Sequence, residues 1–187
     1  TNWNGPLRYG CGTVRDYVIV ISAVDGRGLP FKGGGRVVKN VAGYDISRLL
    51  AGSLGTLGII TEVSLKVLPA PEYEQTQLLT ADLNEASALM RSWSGKPLPI
   101  SATLWSAGEL HVRLSGANSA VQLAAKGIGG ETLEQASAQT LWRKLREQEL
   151  PFFTTGDQPL WRLALPASTT PAKEAAINEN ELLLEWN

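Results

Sequence analysis

Residues 52–61 read GSLGTLGIIT, a glycine at every third position running into a β-branched stretch. Glycine reaches backbone conformations closed to other residues, and it lets a backbone approach another backbone or a ligand closely. The stretch therefore reads two ways: a tight packing turn, or a backbone surface pressed against a flat ligand. Its flanks set the local frame. Upstream, YDISRLLA (44–51) has the spacing of a short helix, with Ile46, Leu49 and Leu50 on one face and Gly52 as its C-cap. Downstream, Ile59, Thr61, Val63, Leu65 and Val67 alternate with Glu62, Ser64 and Lys66, which predicts a long strand ended by the PAP of residues 69–71.

Segment order excludes the common nucleotide motifs. A Rossmann fingerprint runs strand, G-x-G-x-x-G, helix, so that the pyrophosphate meets a helix N-terminus. Here the spacing is G-x-x-G-x-x-G, the helix comes first and the strand after. A Walker A loop needs Gly-Lys-Ser/Thr, whereas the one Gly-Lys pair, at 95–96, is followed by Pro97.

Working outward, twelve of the nineteen glycines lie in residues 1–58, so the first third is rich in loops. TVRDYVIVISAV (13–24) predicts a strand buried on both sides, DGRG (25–28) a hairpin turn, and LPFK (29–32) a short return strand into the loop GGGRVVKNVAG (33–43). Past the prolines the rhythm becomes regular. A strand (YEQTQLLT, 73–80) precedes a helix at 82–94, which opens on the capping pair Asp82 and Glu85 and buries Leu83, Ala86, Met90 and Trp93. ISATLWS (100–106) and ELHVRLSG (109–116) form a hairpin, followed by a helix at 117–126 and a strand at ETLE (131–134). That order is β-α-β-β-α-β, the ferredoxin-like plan. A charged helix (137–150), a strand at 160–166, a helix at 171–177 and a final strand (ELLLEWN, 181–187) extend it. The fold class is α+β, with one domain over 1–70 and another over 71–187.

Composition narrows the chemistry. The 187 residues are 43% hydrophobic and carry a formal net charge of −1, with acids and bases interspersed, so there is no electrostatic footprint for nucleic acid. The longest apolar run, YVIVISAV (17–24), is too short to cross a bilayer, and no secretory signal or transit pattern opens the sequence. One cysteine, Cys11, and one histidine, His111, exclude a disulfide framework and the usual zinc ligand sets. Cys11, between two glycines, reads as a small packed side chain and His111 as a strand residue. Arg113, Arg143 and Arg162 could clamp a carboxylate or simply lie on the surface. Trp93, Trp105, Trp142, Trp161 and Trp186 all lie beyond the boundary, as core residues or as interface anchors.

The segments 8–28 and 33–71 resemble the FAD-linked oxidases of the vanillyl-alcohol-oxidase (PCMH) type. The resemblance rests on Gly5-Pro6 with Arg8, VRD (14–16), VVKNVAGYD (37–45), LLAGS (49–53) and LGIITEVSLKVLP (57–69), and is similar in detail to the FAD-binding subunits of bacterial glycolate oxidases. It continues more weakly through KPLPISATLW, VRLSGA and LWRKLREQELPFF. It implies that residues 1–70 are the second half of a bipartite FAD-binding domain and that 71–187 are an incomplete ferredoxin-like C-terminal domain.

The family's glycine- and serine-rich pyrophosphate loop has no counterpart among the residues, so the resemblance implies a truncated chain, inactive alone. Cofactor contacts carried over from it fall on Gly5, Arg8, Gly12, Asp16, Gly55, Thr56, Gly58, Ile59 and Ile60. The implied activity is oxidation of glycolate, a 2-hydroxy acid, to glyoxylate with electron transfer through FAD and with no metal site. The implied partners are a paralogous FAD subunit and an iron–sulfur subunit, in the cytoplasm and reaching the inner face of the membrane through those partners. Two other readings stay open: a flavin-free docking subunit that scaffolds a catalytic paralogue, and an independent FAD-linked oxidase of another alcohol or hydroxy acid.

Overall fold

The computed structural model describes residues 12–35, 44–156, 159–161, 163 and 182–186. These form two units that divide between Ala70 and Pro71.

In the first unit a single helical turn, α1 (Val14–Tyr17), leads into β1 (Val18–Val24). The sequence reading of 13–24 as one strand is corrected here. The Asp16 carboxylate accepts from the Thr13 amide at 2.8 Å and the Thr13 hydroxyl at 2.9 Å, which closes a turn where β-branched residues alone suggest extension. β1 is the centre of an antiparallel sheet, flanked by β2 (Pro30–Gly34) and β3 (Ile59–Leu65). The β1–β2 turn is held by Asp25, whose carboxylate accepts from the amides of Arg27 and Leu29, both at 2.9 Å. Those amides, Leu29's first, keep its carboxyl below the usual range.

Helix α2 (Ile46–Leu50) starts at Asp45, whose side chain accepts the Arg48 amide at 3.0 Å. It buries Ser47 and Leu50, while Ile46 and Leu49 stay exposed, so its inner face is not the one the apolar spacing predicts. The reason lies in β2. Gly33 leaves the space that Ile46 fills, and a Cβ on Gly34, at φ +86°, would strike the Ile19 carbonyl oxygen and crowd the Ser47 hydroxyl. The helix thus lies flat on glycine backbone, and a small polar residue faces inward. The core here is Val18, Ile21, Ala23 and Leu50, with Phe31 and Ala51 beside it.

The second unit runs β4 (Tyr73–Thr80), α3 (Leu83–Ser94), β5 (Ile100–Ser106), β6 (Glu109–Gly116), α4 (Asn118–Ile128), β7 (Glu131–Thr132), α5 (Gln135–Arg146), α6 (Pro151–Thr154) and β8 (Leu183–Trp186). Its sheet has the order β7-β4-β6-β5-β8, every neighbour antiparallel. The first four of its strands therefore take the ferredoxin-like arrangement, and β8 extends it beside β5. One face carries Trp105, Leu110, Val112 and Leu114 against Met90, Trp93 and Val121. The other carries Ala102 and Leu104 against Trp142 and Leu145 of α5. Two of the three buried indoles bond inward: Trp105 donates to the Ala81 carbonyl at 2.8 Å, and Trp142 to the Thr76 hydroxyl at 2.9 Å. Asp82 and Glu85 form the expected capping box, and Leu83, Ala86, Met90 and Trp93 are the buried stripe of α3.

Two boundaries differ from the sequence reading. β7 keeps only two residues of ETLE because Glu134 turns to cap α5, its carboxylate accepting the Ser137 amide at 2.9 Å. Of the strand expected at 160–166, Leu160, Trp161 and Leu163 are not in a strand and the remainder lies outside the described residues, as does the helix expected at 171–177.

His111 sits on β6 between Leu78 and Leu104 in register, 8% exposed, with Nδ1 lacking a hydrogen-bond partner. Burial pushes its pKa down, partly opposed by the Glu109 carboxylate 3.8 Å from Nε2. The unfolded chain then binds a proton that the folded chain resists as pH falls below the ordinary histidine value of about 6.5. Stability should accordingly drop as pH is lowered through that value and below, until the buried ring itself protonates. Urea unfolding between pH 7.5 and 5 should show the drop, and His111→Gln should flatten the profile. Removing the cap of α3 with Asp82→Ala should cost about 1 kcal/mol. Leu110→Ala, in the fully packed centre, should cost roughly 2–5 kcal/mol. Both are read from urea midpoints followed by tryptophan fluorescence.

Candidate functional site

The loop between α2 and β3 decides between the two readings of the glycine triplet, and it divides them. Gly52 and Gly55 have φ +88° and +80°, with no atom within 4 Å of where a Cβ would sit. Glycine there serves the left-handed turn and leaves open space. Gly58 is the packing residue: a Cβ would come 2.8 Å from the Val24 carbonyl oxygen, where β3 starts beside the end of β1. Leu54 also takes a left-handed conformation, φ 54°, and is 75% exposed. A bulky side chain in that region carries strain.

Thr56 is tied back to the turn, its amide and hydroxyl both donating to the Ser53 carbonyl at 3.0 and 2.7 Å. The hydroxyl proton is thus committed while its oxygen keeps acceptor capacity. Ile59, opposite Val24, is 70% exposed, and Ile60, opposite Ala23, is also exposed. Gly55, Thr56, Gly58, Ile59 and Ile60 therefore lie together near the Val24 end of β1, with Ile59 and Ile60, as consecutive strand residues, on opposite faces of the sheet. Leu57, within the loop assigned to the cofactor by resemblance, is exposed as well, and so is Leu54, which the sequence reading passed over. Its signal was present: a leucine in a glycine loop that offers it no helix or strand face.

Gly12 and Asp16 are at the other end of β1. Seven strand residues at about 3.3 Å each separate the two groups by roughly 20 Å. Gly12 has φ +86°, and a Cβ there would lie 3.1 Å from the Asp16 carboxylate. The hydrogen bonds from Thr13, its amide first and then its hydroxyl, hold the Asp16 carboxyl below its usual range, with Arg48 and Arg15 adding attraction. Its bonded partner is Thr13. Gly5, Arg8 and Cys11 lie outside the described residues.

The candidate carboxylate clamps are engaged elsewhere. One Arg113 Nη2 donates to both oxygens of Glu74, at 2.7 and 2.8 Å, and Ser115 donates to the same carboxylate at 2.9 Å. Arg143 pairs with Glu149 at 2.9 Å on the surface, and Arg162 lies outside the described residues. Trp93, Trp105 and Trp142 fill cores, whereas Trp161 is 80% exposed. Among the described residues there is no group of three or more histidine, cysteine, aspartate or glutamate side chains able to hold a metal ion, and no helix long and apolar enough to cross a membrane.

The backbone at Gly55 is open, and the aliphatic side chains of Leu54, Leu57 and Ile59 are exposed along the same loop and strand start.

The chain is 41% identical over 182 residues to the glycolate oxidase subunit GlcE of Escherichia coli, an alignment covering 97% of the chain and 49% of that protein. It is 45% identical over 82 residues to the glycolate oxidase subunit GlcD of Bacillus subtilis, covering 44% of the chain and 17% of that protein. The chain thus spans about half the length of GlcE and less of GlcD. In structure it is similar to an alkyldihydroxyacetonephosphate synthase with a TM-score of 0.58 at 16% identity, over 80% of the chain and 35% of the synthase, a likeness of fold. No family model matches the chain. The chain is thus similar along nearly all of its length to a glycolate oxidase subunit, and over 47% of its length, at 35% identity, to an uncharacterized FAD-linked oxidoreductase of Mycobacterium tuberculosis.

Proposed function

We propose that this chain contributes one wall of an FAD site in a subunit of a multi-subunit glycolate (2-hydroxy acid) oxidoreductase. The observation that carries the reading is the surface from Gly55 to Ile60, bare and uncharged, in a chain matched to GlcE over 97% of its length. Gly12 and Asp16 at the far end of β1 suit the same ligand, because an extended dinucleotide can span that separation where a single ring system cannot. Gly5 and Arg8 are assigned to the site on resemblance.

Bound FAD would supply the redox chemistry, accepting the electrons removed from a hydroxy acid. The chain's own residues hold and orient. The left-handed turn at Gly55 keeps the approach free of a Cβ, and Ile59 gives apolar contact on one face of the sheet and Ile60 on the other. Thr56 offers an acceptor oxygen, since its proton goes to Ser53. Oxidising the hydroxy acid also needs a base and a cation for its carboxylate. His111 is buried within the second unit's sheet and Arg113 is paired with Glu74, so the oxidation is assigned to a paralogous FAD subunit. Similarity of one chain to both GlcE and GlcD supports such a pair. An iron–sulfur subunit completes the proposed electron path.

The full-length subunit, purified alone, should be yellow and should release FAD on denaturation. Gly55→Val should lower flavin occupancy about tenfold, since a β-branched residue at this φ costs roughly 1–2 kcal/mol before any clash with a ligand. Gly52→Ala should leave occupancy within about twofold, its strain being comparable to an ordinary glycine replacement outside the wall. A folded but colourless full-length subunit would sink the flavin reading in favour of the docking subunit. Glycolate-dependent dye reduction by the isolated subunit would sink the assignment of the oxidation to its paralogue.

A further inference from the structure

The β1–β3 ladder is interrupted by two bulges, one toward each end of β1. Val18 pairs with Leu65 and Val20 with Ser64, so Ile19 is an extra residue on β1. Ser22 pairs with Glu62 and Ala23 with Ile60, so Thr61 is an extra residue on β3. A bulge disrupts the ladder locally, bends its strand and re-aims the side chains beyond it. Packing accounts for the first one. It keeps Val18 on the same face as Ile21 and Ala23, and all three join Leu50 in the core under α2.

The bulge at Thr61 packs no core. Val63 pairs with Ile21 and Ile60 with Ala23, so Ile60 shares the face of Val63, and Ile59 is turned to the other face. Strict alternation would instead place Ile59 with Val63. Yet the core under α2 takes no residue from β3, and Ile59 and Ile60 are both exposed. What the bulge sets is therefore the facing of two exposed isoleucines, and with it the place of Gly58 against the Val24 carbonyl. Side chains pin it. The Thr61 hydroxyl donates to the Ser22 carbonyl at 3.1 Å, and the Ser22 hydroxyl donates to Glu62 at 3.0 Å. Ser22 is thus held by the extra residue and by its neighbour.

We propose that Thr61 is a positioning residue of the candidate flavin site. Its hydroxyl holds the bulge. The bulge in turn aims Ile59 off the core face and seats Gly58 beside Val24, which fixes the downstream end of the loop carrying Gly55. Thr61 acts through these residues, its own proton being committed to Ser22. The inference rests on reading Gly55–Ile60 as part of an FAD site, and it adds to that site a residue that the resemblance does not mark.

The full-length subunit, stripped of flavin and titrated back with FAD, tests it. Thr61→Val keeps the shape of the side chain and loses the donor. It should weaken FAD binding about tenfold, the worth of one well-placed hydrogen bond, and shift the visible spectrum of the flavin that does bind. The urea midpoint of the stripped Thr61→Val subunit should stay at the parent value, because the bond is exposed and water replaces it. Thr61→Ser keeps the donor and should restore binding to within about twofold, with the parent spectrum. Thr61→Val that binds FAD as tightly as the parent would overturn the proposal. So would a loss of FAD that serine does not restore, or one that comes only with a lowered midpoint or a failure to fold. A parent subunit that takes up no FAD removes the site reading and this inference together. A parent that binds FAD beside an indifferent Thr61→Val removes this inference alone.

Discussion

Close approach of backbone to β1 is the constraint on which the first unit depends. At one end of the strand the Ile19 carbonyl lies where a side chain on Gly34 would have to go, and at the other the Val24 carbonyl confronts Gly58. Gly33 receives Ile46 in the same way and lets a five-residue helix rest on the sheet. A helix that short has little stability of its own, so it exists because tertiary contact holds it. With both flanking strands and the helix pinned to β1, the intervening loop has little freedom left. Of its two open glycines, Gly52 ends α2 and Gly55 stands clear of the helix. That contrast makes it the position where a bare backbone faces outward.

The second unit solves its polar problems internally. Trp105 and Trp142 find a carbonyl and a hydroxyl, Arg113 is closed by a carboxylate, and Gln77 donates to the Ala125 carbonyl at 3.2 Å. Charged and aromatic residues that looked available for a substrate are spent on joining sheet to helix and strand to strand. His111 keeps a buried Nδ1 without a hydrogen-bond partner, and it does so between two leucines. A residue in that position is tuned to stay neutral, which serves packing. Chemistry on a hydroxy acid needs groups that change charge at an accessible surface.

What could be read from sequence followed from how local the cause is. The capping box at Asp82 and Glu85 and the stripe on α3 depend on residues within one helix, and they came out residue for residue. The ferredoxin-like order followed from strands and helices of ordinary length in regular alternation. The turn at α1 was hidden because a side chain bonding three residues back outweighed β-branched propensity. The face of α2 was hidden because glycines some twelve residues away determine it. β7 was overrun because Glu134 had a better use as a cap than as a strand residue. Alternation along β3 was legible from Glu62 to Leu65, but the bulge at Thr61 exchanges the faces that strict alternation predicts for Ile59 and Ile60.

The candidate site was legible only in part for a related reason. Nucleotide motifs are visible when the ligand's phosphates meet one contiguous loop, so that spacing alone encodes the geometry. Here the residues assigned to one ligand occupy both ends of a strand, roughly 20 Å apart by its rise, and their common element, β1, contributes none of them. Spacing along the chain then measures the length of hairpins and helices lying between, and carries no signature of the ligand. Three glycines in one heptad marked the place, yet one is a helix end, one packs strands, and one is open. Only the structure separates them, because the distinction lies in what a missing side chain would have touched.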